Sequence, residues 1–329
     1  MERIENIMSV VYLLSAQTNM RLAGGRFIIE REGHRLRSLL LDEVGCVIMG
    51  RRAEMTTPAL CALLERGAGV FYVDGRGRLI GRTGSESASY ERLRVQHESF
   101  RQRGLNLARD IVRRKMTGQI DLLRGYAKSH RIVALAQTAR ELKIYRDQLV
   151  RAATPDELRG YEGLAAREYF ASFTELLDQE LWPWTGRNRR PPRDPVNALL
   201  SYGYALLERD VRLAIIGARL DGSCGCLHAN NGRKDSLVFD LMEPFRPVII
   251  DRLVLRLLNL RIFHPDEFTI DEETGCRMAP AARTRFIESY EDFMERPGAH
   301  FAGLPAREWL RQEIAAWAAE LYRTADVQA

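Results

Sequence analysis

Long hydrophobic runs, a secretory leader and a cysteine framework are all missing from this sequence of 329 residues. No apolar run approaches the ~18 residues that a membrane-spanning helix needs. The amino terminus carries acids and lacks the basic and then apolar order of a secretory signal. The five cysteines are odd in number and too sparse for a disulfide scaffold. Together these absences predict a soluble, cytoplasmic protein.

Lysine is also nearly absent. Four of the 49 basic residues are lysines and the other 45 are arginines; the lysines are Lys115, Lys128, Lys143 and Lys234. Arginine binds phosphate through two parallel hydrogen bonds, which favours a nucleic-acid partner. The formal net charge is only +5, however, and the codon bias of a GC-rich genome explains abundant arginine at least as well. Charge alone is therefore weak support for DNA binding.

Two sections of different character predict an α+β protein with a small N-terminal β domain and a larger, all-helical C-terminal domain. Residues 1–86 alternate short apolar runs with glycine turns, whereas residues 87–329 are charged, with apolar residues three or four positions apart. The boundary is expected between residues 84 and 90. Strands are predicted over residues 10–14, 26–30, 35–41, 44–49, 70–73 and 78–82, with a helix over 59–66.

Two apolar stripes in the second section have helical spacing and are interpreted as core or dimer seam. They comprise Leu107, Ile111, Ile120 and Leu123, and later Leu310, Ile314, Trp317 and Leu321.

Residues 182–195 interrupt the helical section with four prolines and four arginines, so they are predicted to form a loop. A stiff loop that carries arginines near two tryptophans suits a phosphate backbone. A solvated connection between helices is the alternative interpretation.

Three segments carry acidic or imidazole side chains that are candidates for a catalytic or metal-binding site. Glu162 is expected in the first turn of a helix that follows a threonine-proline cap. An acid in this position more often stabilises the helix through its dipole than binds a metal. His228 follows a turn-rich stretch, and a lone histidine is usually structural. Asp240 and Glu243 are three residues apart and share a helical face, yet helix capping explains this pair about as well as metal binding.

Zinc on Cys224, Cys226 and His228 is disfavoured, because their one-residue gaps are tighter than the usual thiolate spacing and no second pair follows. Two or three carboxylates with one imidazole instead form an oxygen-rich site suited to Mn²⁺ or Mg²⁺, which can stabilise charge on a phosphodiester under attack. Such a site requires the four side chains to meet in space, which spacing does not establish.

Over nearly its whole length, the sequence resembles the CRISPR-associated protein one family, the integrases that insert new spacers into a CRISPR array. The resemblance is carried by residues 161–170, 187–204 and 239–247 and by His228. The family's β amino-terminal and helical carboxy-terminal domains agree with the boundary predicted above.

The resemblance implies that Glu162, His228 and Glu243 hold Mg²⁺ or Mn²⁺. Asp240 is implied close by as a ligand, an orienting group or a proton acceptor. The last acid is aspartate in some relatives and glutamate here, which lengthens the side chain by one methylene and keeps the ligand type.

The implied reaction is attack by a free 3′ hydroxyl of prespacer DNA on a phosphodiester at the repeat boundary, without a covalent enzyme intermediate. The implied partners are double-stranded DNA, a second copy of the chain bound through the β domain, and a small protein, CRISPR-associated protein two, that bridges two dimers. Tyr202 is a candidate for positioning. Candidates for phosphate contacts are Arg167, Arg187, Arg189, Arg190, Lys234 and Arg246.

Two alternatives stay open. A metal-dependent, structure-specific endonuclease would use the same ligands with water as the nucleophile. A non-catalytic DNA-binding scaffold would use the acidic residues only as helix caps and surface charge.

Overall fold

Short apolar stretches and glycine turns form two four-stranded sheets in the N-terminal part of the chain. The computed structural model describes residues 9–74, 79–84, 90–188, 190–218, 220–228 and 235–326. The chain divides into two compact units, Met1–Ser87 and Ala88–Ala329. This division is consistent with the boundary expected from the sequence.

The first sheet has the order β1-β5-β7-β8, in which β1, β5 and β7 are parallel and β8 is antiparallel to β7. The second has the order β4-β3-β2-β6, in which β3 is antiparallel to both neighbours and β6 is parallel to β2. The strands are β1 (Ser9–Leu13), β2 (Thr18–Ala23), β3 (Arg26–Arg31), β4 (His34–Leu40), β5 (Val44–Gly50), β6 (Glu54–Met55), β7 (Gly69–Val73) and β8 (Leu79–Thr83).

One apolar core joins the two sheets to helix α1 (Thr57–Glu65). Met20, Phe27, Val47 and Leu63 are buried together in it. The strands and the helix predicted from the sequence are present with small shifts of their ends, but β2 and β6 were not predicted. Strand β2 has few large apolar residues, so its pairing with β3 along six residues defines it.

The C-terminal unit is built from helices around a second, larger core. Ile111, Ile120 and Ile314 are each no more than 1% exposed, so the predicted apolar stripes are core. Within the described ranges, no helix is both long and apolar enough to span a membrane. The helices are α2 (Tyr90–His130), α3 (Val133–Gln148), α4 (Pro155–Ala171), α5 (Pro195–Gly217), α6 (Ser236–Met242), α7 (Arg252–Asn259), α8 (Pro280–Glu295) and α9 (Ala306–Asp326).

A β-hairpin makes the prediction of an all-helical second domain wrong. Strands β9 (Phe268–Asp271) and β10 (Gly275–Met278) pair in antiparallel fashion. Gly275 has a φ of +76°, and a Cβ there would lie 2.5 Å from Pro191 Cβ. The Cys276 amide donates to Pro192 O at 2.6 Å. The hairpin thus fixes the proline-rich loop, which the structure places before α5 as predicted.

Candidate active site

Asp240 in α6 organises the loop that carries His228. Its carboxylate is completely buried and accepts four hydrogen bonds. Oδ2 accepts from the amides of Cys226 (2.6 Å) and Leu227 (2.9 Å), and Oδ1 accepts from the amide (2.9 Å) and the Nδ1 (2.7 Å) of His228. Because a carboxylate only accepts, Nδ1 of His228 is the donor, and the lone pair of the neutral ring lies on Nε2.

Gly225 allows this loop to approach Asp240 so closely. A Cβ at position 225 would lie 2.7 Å from Asp240 Oδ2 and 2.7 Å from Ser236 Cβ, which is closer than real Cβ contacts. The backbone turn therefore requires glycine here.

Side-chain capping of a helix start, the alternative interpretation of the acidic residues, is wrong for all three of them. Asp240 is an interior residue of α6, whose start has no side-chain cap, and Glu243 follows the helix end. Glu162 is the eighth residue of α4, so the expectation of a first-turn position is also wrong. The cap of α4 is Thr154, whose side chain accepts from the Glu157 amide at 3.2 Å.

Lys115 from α2 lies between Glu162 and Glu243. Its Nζ is 2.6 Å from Glu243 Oε2 and also donates to Glu162 Oε1. The Lys115 side chain is 8% exposed. Burial alone would lower the pKa of this ammonium, but the charges of Glu243 and Glu162 outweigh burial and raise it. One ammonium therefore holds carboxylates from two different elements together.

Arg246 holds the other oxygen of Glu243, because its Nε donates to Oε1 at 3.1 Å. Burial alone would raise the pKa of Glu243, but the charges of Arg246 and Lys115 hold it at about 2. Glu243 is consequently a carboxylate at neutral pH although it is buried.

A buried aromatic network lies behind Arg246, whose guanidinium lies 4.4 Å from the centroid of the Tyr204 ring. Asp251 accepts from the hydroxyls of Tyr204 (2.6 Å) and Tyr169 (2.9 Å). Burial raises the pKa of Asp251 to about 6, even though both hydroxyls favour its charged form. Asp251 thus orients the ring against which Arg246 packs.

His228 lies close enough to both glutamates to feel their charges. The hydrogen bond to Asp240 raises the pKa of His228 despite its partial burial, and the charges of Asp240, Glu243 and Glu162 add to this effect. The ring is 43% exposed, so the site opens to solvent at the histidine. The structure therefore brings all four residues singled out from the sequence into one region.

The donors in this region fit a divalent cation such as Mg²⁺ or Mn²⁺. Glu243 Oε2 is buried and finds no hydrogen bond of acceptable geometry among the described residues, although Lys115 is beside it. Two carboxylates and one imidazole nitrogen form the mixed donor set that Mn²⁺ accepts. In the described part of the chain, no three His, Cys, Asp or Glu side chains lie close enough together to hold a metal ion as they stand.

The neighbouring cysteines fit a metal poorly. Burial raises the pKa of the Cys224 thiol to about 11 and that of Cys226 well above its ordinary value. Both are free thiols, and metal ligation requires the thiolate.

The residues predicted to contact phosphate lie in different surroundings. Arg167 on α4 is 70% exposed, and its guanidinium donates to Glu168 Oε1 at 2.8 Å. Arg190 is exposed. Arg187 instead donates to Asn197 Oδ1 at 2.6 Å and Ser201 Oγ at 3.1 Å, which attaches the loop to α5.

Two further candidates are partly engaged in packing, and two lie outside the described residues. Arg246 is bound to Glu243, as described above. Tyr202 packs its ring against the edge of Phe286, with the centroids 5.8 Å apart. Arg189 and Lys234 are the candidates outside the described residues.

Sequence reasoning missed Lys115, Tyr204, Tyr169 and Asp251. A signal for Lys115 was available: it is one of four lysines in a chain that otherwise uses arginine, and it directly follows two arginines. A buried site between two carboxylates suits a compact ammonium better than a planar guanidinium.

Comparisons with known proteins place this arrangement in a family. The family model of CRISPR associated protein Cas1 matches residues 11–292. A CRISPR-associated endonuclease Cas1 of Thermus thermophilus is 34% identical over 283 residues, which cover 86% of this chain and 85% of the relative. One from Moorella thermoacetica is 34% identical over 302 residues, which cover 89% of this chain and 80% of the relative.

Solved structures share the fold. A Cas1 protein from Thermotoga maritima has a TM-score of 0.78 and 24% identity, covering 95% of this chain and 97% of its own. A casposase bound to an integration product has a TM-score of 0.76 and 21% identity, covering 96% and 91%. At these identities the structural likeness supports the fold alone.

Replacing Gly225 by alanine should open the loop around Asp240, because the added Cβ overlaps Asp240 and Ser236. We expect amide exchange at residues 226–228 to accelerate at least about tenfold, measured by hydrogen exchange with mass spectrometry. Gly222→Ala is the matched control, since a Cβ there meets Val238 at an ordinary 3.4 Å. Equal exchange in both variants would contradict the role given to Gly225.

Replacing Asp240 by asparagine should lower the pKa of the His228 ring, because the carboxylate that stabilises the imidazolium is removed. An NMR titration of the histidine ring protons measures this change. The other histidine resonances should titrate as in the wild type. An unchanged pKa of His228 would show that Asp240 does not control its ring.

Proposed function

Because this chain belongs to the Cas1 family of CRISPR-associated proteins, we propose that it is a metal-dependent DNA integrase that inserts prespacer DNA into a CRISPR array. The observation that carries this proposal is that the carboxylates of Glu162 and Glu243 meet at Lys115, with His228 near enough for both charges to act on its ring. The two glutamates and the histidine come from α4, from the end of α6 and from the loop folded onto Asp240. The names of the relatives support DNA strand chemistry, since they are called endonucleases.

In the proposed reaction, a 3′ hydroxyl of the prespacer attacks a phosphodiester of the repeat. A new phosphodiester forms, the bond to the 3′ oxygen of the repeat strand breaks, and that oxygen leaves as a hydroxyl after taking up a proton. Glu162, Glu243 and Nε2 of His228 would hold Mg²⁺ or Mn²⁺, which supplies Lewis-acid activation of the hydroxyl and stabilises charge on the phosphorus centre. Asp240 holds Nδ1 of His228, which keeps its proton there, so that Nε2 is the nitrogen with a lone pair for a metal. Arg246 donates to Glu243 Oε1, and its charge keeps Glu243 ionised.

The remaining roles follow the same proposal. Arg167 and Arg190 are exposed and available to DNA phosphates. Arg187 would act indirectly, since it anchors the loop that carries Arg190. We also propose that the chain dimerises through its N-terminal unit and that a small Cas2-type partner bridges two dimers. Solved complexes described as Cas6-RT-Cas1–Cas2 share the fold, which is in keeping with such a partner.

Hydrolysis by the same site is the second candidate function, because the relatives are named endonucleases. Water would then replace the 3′ hydroxyl as the nucleophile. A non-catalytic scaffold is less well supported, since Glu243 and Asp240 are buried rather than surface charges and neither side chain caps the start of α6.

Glu162→Gln and Glu243→Gln should each lower the rate of strand transfer by at least about 100-fold. Loss of a group that only orients a metal ligand costs about 10–100-fold, and loss of the ligand itself should cost more. The assay joins a labelled prespacer to a supercoiled plasmid that carries the repeat, with the partner protein and Mn²⁺. Glu288→Gln is the control: it makes the same change at an exposed position of α8, is not among the residues assigned to metal or DNA, and should react like the wild type.

A prespacer that lacks its 3′ hydroxyl separates the two candidate reactions. Joined product should disappear with this substrate if the hydroxyl is the nucleophile. Cut plasmid that persists without joined product would favour hydrolysis. Full joining by Glu162→Gln and Glu243→Gln would overturn the proposed site.

Binding of Mn²⁺ should weaken as the pH falls, because a proton on His228 competes with the ion and the pKa of this ring is raised. Affinity should be highest above that pKa and fall up to about tenfold per pH unit below it. Calorimetry between about pH 5.5 and pH 8 measures the profile. In Asp240→Asn the fall should begin at a lower pH, and an identical profile would contradict the assignment.

A further inference from the structure

Lys115 occupies the space in which a cation shared by Glu162 and Glu243 would lie. Its Nζ is within bonding distance of both carboxylates, and its side chain reaches them from α2, an element that contributes neither acid. The preceding arginines have a different partner: Arg113 and Arg114 both pair with the partly buried Asp110, at 2.5 Å and 2.7 Å. Lys115 alone among these three basic residues is directed into the acidic site.

We propose that Lys115 is a built-in counter-ion that holds the two glutamates together in the metal-free protein and leaves the space between them when a divalent cation binds. The inference rests on the proposed metal site and adds a competitor to it. Lys115 is thus a positioning residue of the metal-free state.

Displacement follows from distances. Nζ is 2.6 Å from Glu243 Oε2, and Mg²⁺ or Zn²⁺ binds carboxylate oxygens at about 2.0–2.2 Å. An ion shared by the same two carboxylates would lie within a few ångströms of the ammonium, where two positive charges in a buried site repel strongly. An ion between the two carboxylates would take the position that the ammonium now occupies, so we expect Lys115 to withdraw from that position when the metal binds.

The side chain of lysine suits such an exchange. Its charge is a single point on a flexible stem of four carbons, so it can withdraw without moving the helix. Arg246 stays bound to Glu243 Oε1 at 3.1 Å, a different oxygen from the one beside Lys115. Glu243 therefore keeps one cationic partner while the other is exchanged.

Lys115→Met tests the competition, since methionine has a similar length and no charge. We expect Mn²⁺ to bind this variant at least about tenfold more tightly than the wild type in calorimetry, because no ion pair must break first. The metal-free variant should also melt at a lower temperature and recover more on adding Mn²⁺ than the wild type does. Lys128→Met is the matched control, because Lys128 is an exposed lysine of the same helix and should bind like the wild type.

A second measurement needs no variant. Acetylation of lysines by a water-soluble reagent, followed by mass spectrometry, reports how accessible each amine is. Modification of Lys115 in the wild-type protein should increase several-fold when Mn²⁺ is added, with Lys128 as the internal standard. Unchanged or reduced modification of Lys115 would overturn the inference even if Lys115→Met does not fold.

The failure of this inference can be told apart from the failure of the metal site. If Glu162→Gln and Glu243→Gln bind Mn²⁺ as the wild type does, the proposed site and the inference both fall. If those variants lose Mn²⁺ while Lys115→Met binds it no more tightly, the site stands and the competitor role of Lys115 is wrong.

Discussion

The candidate site depends on the need of two inward-facing carboxylates for positive charge. Glu162 and Glu243 come from different elements, and like charges brought together in a buried region repel unless a cation lies between them. Lys115 supplies that cation from α2, and Arg246 supports Glu243 from the opposite side. Removing one partner of a buried ion pair typically costs about 3–5 kcal/mol, so the same contacts that form the site also tie α2, α4 and the end of α6 to one another.

Behind this charge balance, His228 and Arg246 are each held in place by buried neighbours. The Asp240 carboxylate accepts four hydrogen bonds from residues 226–228. Gly225 has no Cβ, which allows the loop to come this close to Asp240. Arg246 packs on Tyr204, whose hydroxyl is held by Asp251. The chain thereby converts ordinary local elements into a site whose imidazole and carboxylates have fixed orientations before any ligand arrives.

Local pattern was sufficient for features that neighbouring residues determine, such as the N-terminal strands, the core stripes of the long helices and the proline-rich loop. It was insufficient wherever a distant contact decides. Strand β2 is defined by its pairing with β3. The error for Glu162 was local: α4 starts at Pro155, directly after the Thr154 cap, so Glu162 is its eighth residue and not a first-turn acid. The sequence did not distinguish capping from ligation for Asp240, because its hydrogen-bond partners lie in a loop 12–14 residues away. The buried Lys115 left only a compositional trace, because its partners are 47 and 128 residues away.

The contact between Gly275 and the two prolines at 191 and 192 bears on the affinity for a partner rather than on the reaction. A free loop with several arginines loses backbone and side-chain freedom when it binds a polyanion, and that loss subtracts from the affinity. Here the hairpin of β9 and β10 and the hydrogen bonds of Arg187 have already restricted the backbone during folding. If the loop binds a polyanion as proposed, this part of the entropy loss has already occurred in folding the C-terminal unit, and it subtracts less from the affinity.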